Sequence, residues 1–293
     1  MHIIDILKSY RIAYKNYMTV MWNVYREMKG EGNDKEIEVI FRNGGTYKLK
    51  LPLISMYASF VSNKNINIDT HKLDINNLKF SYKSINIMLP INEGDMLAVF
   101  GNEEYKFLDV NNEIVIDIGA NIGDSPIYFA VNHAKRVIAI EPYSYSYNIA
   151  SENIKANKFD DRITLLNSGY GKDGIAYIDP EFKNTTSSNL KSIKNGKEIK
   201  ILSLKTLLNN YNINNAVLKM DCEGCEYNIL YEDNNTLRRF KRIQIEYHYG
   251  YEKIKNKLEQ AGFTVKYQES KKITNKKIAN NKMEQGYIFG III

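Results

Sequence analysis

The sequence predicts an α/β protein in which a doubly wound parallel sheet follows a smaller α+β region. From residue 113 onward, short apolar runs alternate with segments of helical spacing, which is the pattern of successive βαβ units. Before that point, apolar runs adjoin turn signals and one long helical segment instead. We therefore expect two domains: residues 1–112, an N-terminal helix with an α+β cap, and residues 113–293, the sheet domain.

The composition is that of a globular protein with one large core. Of its 293 residues, 44% are hydrophobic and 25% are charged, which suffices for a large core and a small extra domain. The net charge of +6 is modest and the basic residues are spread along the chain, which argues against a dedicated nucleic-acid surface. Two cysteines provide no disulfide scaffold, as is usual in a reducing cytosol.

The N-terminal apolar pattern is interrupted by charged residues at Asp5, Lys8, Arg11 and Lys15. A secretion signal or a membrane-spanning segment needs an uninterrupted apolar stretch. We therefore expect neither, and we expect a cytoplasmic protein.

In the first region, the clearest pattern is a long amphipathic helix. Apolar side chains recur at helical spacing over residues 3–28, and Gly30 follows as a stop signal. Its polar face is not strongly basic, so packing against the protein is favoured over membrane association. The other elements predicted here are a hairpin of strands 36–42 and 46–51 around Asn43-Gly44-Gly45, a helix near 53–62 and a strand at 84–89.

The second region alternates strands and helices and closes with an antiparallel pair. Its predicted elements are strand 113–118, helix 124–133, strand 136–141, helix 145–158, strand 162–167, a helix that follows Ser203 and ends at Asn210, strands 217–221 and 243–248, and the closing pair 263–268 and 287–293.

Two polar segments of this region have no predicted regular structure. The irregular span 170–198 contains the loop Lys183–Ser188, which we interpret as a surface connector rather than a gate for substrate. The basic cluster Lys271–Lys277 with Lys282 is interpreted as a solvated hairpin loop rather than a site for an anionic substrate.

The most informative segment is VIDIGANIGDS, residues 115–125. An apolar strand breaks there into a small-residue turn and then a helix, an arrangement that exposes backbone N–H groups to a bound cofactor. Asp117 lies two residues before the first glycine, where its carboxylate would repel a pyrophosphate but attract a cationic amino-acid group. The segment therefore favours S-adenosylmethionine over a dinucleotide.

The next strand ends in a second acid. Glu141 follows the apolar run 136–140, eighteen residues after Gly123, where a carboxylate can accept hydrogen bonds from both hydroxyls of a ribose. Ligands of open parallel sheets bind beyond the carboxyl ends of the strands. The cofactor-binding residues that we expect are Asp117, Gly119, Asn121, Gly123, Glu141, Pro142, Asn167 and Ser168.

Candidate catalytic residues follow the fourth and fifth strands. Asp221 ends the fourth strand, beside the position of the cofactor, and Glu246 and His248 share one face of the fifth. A hydroxyl acceptor must lose its proton, and a histidine near its usual pKa is a suitable base. We expect His248 to be that base, with Glu246 or Asp221 orienting it. A buried histidine with a purely structural role is nearly as consistent with the pattern.

The residues after the fourth and fifth strands also allow two other chemistries. Cys222 and Cys225 form a C-x-x-C motif, but a second pair of zinc ligands and a thioredoxin-like context are both missing, which disfavours zinc and redox roles. Asp221, Glu223, Glu246 and His248 could instead bind a divalent metal. The spacing does not require this, so no metal is predicted.

The chain resembles the FkbM family of S-adenosylmethionine-dependent methyltransferases, particularly its archaeal members. The resemblance covers about residues 80–293 and rests on VIDIGANIGDS, VIAIEPYSYSYNIASENIKAN, LKMDCEGCE and IEYH. LKMDCEGCE matches the family's lysine-x-aspartate-x-glutamate-glycine-x-glutamate box. The resemblance implies a class I methyltransferase fold, Rossmann-like, with seven strands in the order 3-2-1-4-5-7-6. It also implies O-methylation, often of sugar or polyketide hydroxyls, with Asp117, Gly119, Asn121, Gly123 and Glu141 holding the cofactor.

A second resemblance defines the alternative function. Residues 141–162 also resemble archaeal tRNA guanine N1-methyltransferases, which have an Asn-Pro-Pro type box after the fourth strand. This chain has Asp221-Cys222-Glu223-Gly224 there, and acids are poor neighbours for polyanionic RNA. We therefore expect a glycan or small-molecule acceptor, with RNA methylation and a non-catalytic cofactor-binding module as alternatives.

Overall fold

The computed structural model describes residues 3–29, 36–74, 76–90, 95–183, 196–269 and 285–292. The chain forms two compact units, Met1–Asn92 with Met96–Glu103, and Glu93–Asp95 with Glu104–Ile293. The main part of the second unit begins at Glu104 rather than at residue 113. Tyr105 is buried in this unit against the rings of Tyr128 and Phe129. Among the helices of the described ranges, none has both the length and the apolar character needed to cross a membrane.

The first unit combines helices with two small antiparallel sheets, β1-β2 and β3-β4-β5. Its hairpin, short helix and strand confirm those predicted from the sequence. The elements described are α1 (Ile3–Ala13), α2 (Tyr17–Met28), β1 (Ile37–Ile40), β2 (Thr46–Leu49), α3 (Leu51–Val61), β3 (Ile66–Asn67), β4 (Asn77–Tyr82), β5 (Ile85–Pro90) and a π-helical turn, Leu97–Gly101.

The single helix predicted over residues 3–28 is wrong, because the chain breaks it between α1 and α2. Tyr14 forms an isolated bridge with Phe41, and the Lys15 N–H donates to the Ile40 carbonyl at 2.7 Å. The Asn16 side chain accepts from the Ile40 N–H at 2.9 Å. These bonds to the hairpin replace the helical ones, which a periodic pattern of apolar residues does not reveal. The predicted stop at Gly30 lies outside the described residues.

The second unit is a sheet with flanking helices. Its elements are β6 (Ile114–Ile118), α4 (Asp124–Val131), β7 (Arg136–Ile140), α5 (Ser144–Ala156), β8 (Ile163–Leu166), β9 (Ser168–Tyr170), β10 (Gly174–Ile178), β11 (Lys197–Leu202), α6 (Leu204–Asn210), β12 (Ala216–Met220), α7 (Asn234–Leu237), β13 (Phe240–Tyr247), α8 (Glu252–Gln260), β14 (Thr264–Glu269) and β15 (Gly286–Ile291), with 3-10 turns at Lys106–Leu108 and Cys225–Tyr231.

The main sheet has the order β14-β15-β13-β12-β6-β7-β8. Strands β13, β12, β6, β7 and β8 are parallel, and β15 is antiparallel to both β13 and β14. Numbered along the chain and taken from the β8 end, the order is 3-2-1-4-5-7-6. This confirms the class I methyltransferase fold and the antiparallel closing pair.

A smaller sheet, β10-β11-β9, occupies part of the span that the sequence analysis left irregular. Strand β10 is largely exposed, so it lacks the apolar run that identifies a buried strand. Residues 184–188 of the predicted polar loop, and the whole basic cluster Lys271–Lys282, lie outside the described residues.

The central strands are buried on both faces, as a parallel sheet with helices on both sides requires. All five residues of β12 are buried, and so are four of the five in β6. Two of these residues are charged, Asp117 and Lys219. A buried charge is retained only when it is paired, so these two residues mark the place to look for a site.

Candidate active site

The candidate site lies at the carboxyl ends of β6, β7, β12 and β13, where strand order reverses beside β6. This is where ligands of open α/β sheets bind. The residues predicted from the sequence lie at these ends or in the turns that follow them, except Asn167 and Ser168, which follow β8. The site has a β6–β7 side and a β12–β13 side.

The turn after β6 requires glycine at its first position. Gly119 has a φ of +82°, and a Cβ added to it would collide with the backbone carbonyl of Asp221. Gly123, with a φ of +89°, directly precedes α4, and its added Cβ would lie 3.2 Å from Cα of Ala150 on α5. The turn therefore lies directly against the end of β12, with the first N–H groups of α4 at its far side.

Asp117 and Lys219 form a buried ion pair beneath this turn. The Lys219 Nζ lies 3.0 Å from the Asp117 Oδ1 and donates to the Gly119 carbonyl at 2.6 Å. The Ser125 hydroxyl donates to the other carboxylate oxygen at 2.7 Å. Asp117, which the sequence analysis assigned to a cationic group of the cofactor, thus already has an ammonium partner within the protein.

The charge of Lys219 is maintained by its neighbours. Burial alone would lower its pKa, but the carboxylates of Asp117, Asp221 and Asp124 outweigh burial and raise the pKa above the usual value. Its ammonium also lies 5.5 Å from the centre of the Tyr105 ring. Lys219 is therefore a fixed positive charge under the turn.

Glu141 organises the β7 side through backbone amides. Its two carboxylate oxygens accept from the N–H groups of Asn121 and Tyr143, each at 2.9 Å. Burial raises the pKa of Glu141 to about 7. The carboxylate thus connects the turn after β6 with the chain that leaves β7, and each oxygen still has a lone pair for a ligand.

Three further predicted residues lie beside Glu141. The Asn167 side chain donates to the carbonyls of Glu141 and Pro142, at 3.0 and 2.9 Å. Ser168 is buried, and its hydroxyl has no hydrogen-bond partner in the described part of the chain. A buried hydroxyl without a partner favours a ligand or water that would satisfy it.

On the β12–β13 side, acids lie close to one another. The Tyr105 hydroxyl donates to the Asp221 Oδ2 at 3.4 Å. Burial, followed by the charge of Asp221, raises the pKa of Glu246 to about 9. Burial also raises the pKa of Glu104 to about 7, despite a hydrogen bond from Tyr287. Protons therefore neutralise part of this acidic group.

His248 lies between two carboxylates. Its Nδ1 is 2.9 Å from the Glu226 Oε1, and its Nε2 is 3.3 Å from the Glu223 Oε2. Burial alone would lower the pKa of His248, but Glu226, Glu223 and Asp221 raise it to about 9. The ring is therefore an imidazolium at neutral pH, whereas the sequence analysis assumed an ordinary pKa.

The orienting residue also differs from the expectation. Glu226 contacts His248, whereas Glu246 or Asp221 was expected to do so. Glu226 is fully buried, and its oxygens also accept from the N–H groups of His248, at 3.1 Å, and Gly224, at 2.7 Å. The turn after β12 folds back over β13, so a residue of the turn reaches the histidine before its strand neighbours do.

The same turn contains the two cysteines. Glu223 and Gly224 both have positive φ, +56° and +117°, and the turn brings the Cα atoms of Cys222 and Cys225 to 5.4 Å, where a disulfide joins them. The sequence analysis expected no disulfide scaffold. The bond found here closes one turn of the site rather than linking distant parts of the fold.

Sequence reasoning missed two functional candidates that had a signal. A lysine within the buried strand AVLKM must be paired, which points to Lys219. Glu226 is the last acid of LKMDCEGCE and was quoted only as part of the motif. Tyr105 and Glu104 lie outside the motifs, and no pattern indicates them.

Comparison with known proteins identifies the family of this chain. A family model described as the methyltransferase FkbM domain matches residues 117–268. This chain belongs to the FkbM methyltransferase family. It is an S-adenosylmethionine-dependent methyltransferase. No curated protein matches the chain.

Solved structures similar to this FkbM methyltransferase include M. jannaschii TYW2 in complex with AdoMet, at 18% identity, 77% coverage of this chain, 90% coverage of that one and a TM-score of 0.40. P. horikoshii TYW2 in complex with MeSAdo is 16% identical. That match covers 76% of this chain and 74% of the other, with a TM-score of 0.40. Trm5b from Pyrococcus abyssi is 14% identical. That match covers 77% of this chain and 59% of the other, with a TM-score of 0.41.

The buried ion pair makes a testable prediction. In Lys219→Met the Asp117 carboxylate stays buried without its partner, so we expect the free energy of unfolding to fall by about 3–5 kcal/mol. The double variant Asp117→Asn/Lys219→Met should recover much of this loss, because it removes both charges. Urea denaturation of the three proteins measures the effect. Equal losses in the single and double variants would contradict the role of the pair.

Proposed function

We propose that this FkbM methyltransferase transfers a methyl group from S-adenosylmethionine to a hydroxyl of a glycan or small metabolite. The observation that supports this acceptor class best is the acidic group at the ends of β12 and β13, where Asp221, Glu223, Glu226 and Glu246 lie. Such an edge repels phosphates, and it suits a neutral acceptor that offers hydroxyl groups.

The residues on the β6–β7 side fit S-adenosylmethionine. The turn at Gly119 has no room for a side chain, which suits close approach of a ligand to backbone N–H groups. Glu141 retains acceptor capacity for two ribose hydroxyls. The unpartnered Ser168 hydroxyl adds a buried polar group that a ligand would satisfy.

The other predicted cofactor residues hold Glu141 and the turn after β6 in position. Asn121 presents its backbone N–H to Glu141, and Asn167 holds the carbonyls of Glu141 and Pro142. Gly123 sets the start of α4. We assign Asp117 a supporting part, since it fixes Lys219 under Gly119 and thereby fixes the turn.

S-adenosylmethionine, when bound, would supply an electrophilic methyl group on a positively charged sulfur, and this sulfur would leave as a neutral thioether. Residues of this chain position the acceptor and remove its proton. Alignment supplies most of the acceleration, about 7–11 kcal/mol in well-oriented systems. We propose that Asp221 and Glu246 position the hydroxyl and that His248 takes its proton at Nε2. Only the neutral form of the ring can do this, and with a pKa raised to about 9 it is the minor form at pH 7.

The first prediction of this assignment concerns Glu141. In Glu141→Ala we expect affinity for S-adenosylmethionine to fall by about 1–3 kcal/mol, because charged hydrogen bonds to ribose are lost. Since the pKa of Glu141 is raised to about 7, the carboxylate is mostly protonated at pH 6 and mostly ionised at pH 8. Affinity of the wild type should therefore fall about tenfold between pH 8 and pH 6.

Isothermal titration calorimetry measures both effects. Glu152→Ala, which removes an exposed acid on α5, is the matched control and should bind like the wild type. Glu141→Gln should lose most of the pH dependence attributed to this carboxylate. Unchanged affinity in Glu141→Ala would show that the ribose acid lies elsewhere.

The acceptor class is tested directly by transfer of a tritiated methyl group. Glycans, lipids, small metabolites and RNA from the source cell are incubated with the protein and labelled S-adenosylmethionine. We expect label in base-stable ether linkages of glycans or metabolites. Label in RNA, with transcript binding that weakens steeply as salt rises, would contradict the proposed acceptor and support RNA methylation.

A further prediction separates chemistry from cofactor binding. In His248→Ala we expect near-normal affinity for S-adenosylmethionine but a rate of methyl transfer reduced about 10²–10⁴-fold, the range typical of a lost acid–base group. His133→Asn is the matched control, because His133 is exposed and its positive φ is tolerated by asparagine. Wild-type turnover in His248→Ala would remove His248 from the chemistry.

A further inference from the structure

Three side chains at the ends of β12 and β13 are arranged like the ligands of a metal ion. Asp221, Glu223 and His248 each bring one ligand atom within 4.8 Å of the others. The Glu223 Oε2 and His248 Nε2 lie 3.3 Å apart. Ligands bound at about 2.1 Å to one octahedral ion are roughly 3–4 Å apart, so only small movements separate this arrangement from a coordination shell.

The backbone holds these residues together. The last residues of β12 pair in parallel register with β13, Met220 opposite Ile245, so Asp221 and His248 leave the sheet at neighbouring points. The Asp221 N–H donates to the Ile118 carbonyl at 3.1 Å, which fixes it to β6. Glu223 belongs to the turn that the Cys222–Cys225 disulfide closes. The site is therefore built on strand ends and a closed turn.

His248 is oriented as metal-binding histidines usually are. Its Nδ1 faces the Glu226 Oε1 at 2.9 Å, and the other oxygen of Glu226 accepts from the Gly224 N–H at 2.7 Å. Glu226 and His248 are both buried. A carboxylate on one ring nitrogen fixes the tautomer and leaves the other nitrogen for a metal. Here that nitrogen is Nε2, which faces Glu223 and would give up the imidazolium proton to solvent on binding a metal.

The charges of this edge also favour a cation. Burial raises the pKa values of Glu104 and Glu246, and the nearby charge of Asp221 adds to this increase. The buried Lys219 is paired with Asp117. Positive charge at the three ligand atoms would therefore relieve repulsion between the carboxylates.

We propose that Asp221, Glu223 and His248 bind a hard divalent cation such as Mn²⁺ or Mg²⁺, with Glu226 as the residue that positions His248. Two carboxylate oxygens and one imidazole suit such an ion. Three protein ligands leave roughly three positions of an octahedral shell for oxygen atoms from water or an acceptor.

The role of this cation rests on the proposed function. A bound cation would orient the acceptor hydroxyl and lower its pKa, and the proton would leave to water as the oxygen takes the methyl carbon. An acceptor with two adjacent oxygens, such as a vicinal diol, would occupy two of the open positions. Cation binding and proton transfer at Nε2 exclude each other, so in the metal-loaded protein the cation would take over the activating role that His248 has in the metal-free protein.

The test uses Mn²⁺ alone, without S-adenosylmethionine or acceptor. The full chain is freed of metal with a chelator, and binding is followed by the loss of the electron paramagnetic resonance signal of free Mn²⁺. We expect one Mn²⁺ per chain in the wild type, and affinity at least tenfold weaker in Glu223→Gln and His248→Gln. Glu226→Gln should weaken binding about 10–100-fold, as removal of the partner of a ligating histidine does.

Two controls make the result specific. Glu198→Gln removes an exposed acid on β11 and should bind Mn²⁺ like the wild type. Glu223 is half-buried in the turn, so Glu223→Gln is the variant that keeps the test valid if His248→Gln does not fold, and thermal unfolding of each variant checks this. Absence of Mn²⁺ binding up to millimolar concentration, or equal binding by all variants, would overturn the proposal.

Calorimetry with S-adenosylmethionine in the presence of chelator separates this proposal from the proposed function. Cofactor binding without Mn²⁺ binding would overturn the metal site and leave the methyltransferase assignment of the β6–β7 residues in place. Mn²⁺ binding without cofactor binding would support the metal site and count against that assignment.

Discussion

The site depends on one interaction, the ion pair between Lys219 and Asp117. The two residues lie opposite each other in the parallel register of β12 and β6, in two strands whose other residues are all apolar. The same ammonium donates to the Gly119 carbonyl, so a single side chain joins two strands and the turn between β6 and α4. Buried pairs of this kind contribute little net stability compared with an apolar pair. Their value here is the fixed position of the turn.

The two sides of the site use carboxylates in different ways. Glu141 accepts hydrogen bonds from two backbone N–H groups. These bonds hold its carboxylate in place and leave acceptor capacity for one ligand. Asp221, Glu223 and Glu246 lie near other acids, and their mutual repulsion is relieved by protons and by His248. The first side therefore suits hydrogen-bond recognition of a defined ligand. The second suits neutral or cationic groups and disfavours anionic ones.

Much of the fold was predictable because the strands of a parallel sheet are short apolar runs. The break between α1 and α2 was not, since it depends on bonds between Asn16 and a hairpin distant in sequence. Strands β10 and β11 were missed because most of their residues are exposed, like those of a loop, and β9 because it has only three residues. In the site, residues at strand ends could be predicted because all strand ends of a parallel sheet meet at one edge. The partners of Asp117 and His248 could not, because Lys219 and Glu226 meet them only after the strands pair and the turn folds back.

The two ring nitrogens of His248 have different surroundings. Glu226 accepts from the backbone N–H of His248 as well as facing Nδ1, and it is fully buried. That arrangement is sufficient to hold the ring and to fix the end of β13 against the turn. The contact at Nε2 is different, because the Glu223 side chain retains 27% of its exposure and belongs to the turn. A histidine needed only for packing requires no second carboxylate at the open side of the site. Proton transfer and cation binding, the two roles proposed for this residue, would both take place at Nε2, next to the charge of Glu223.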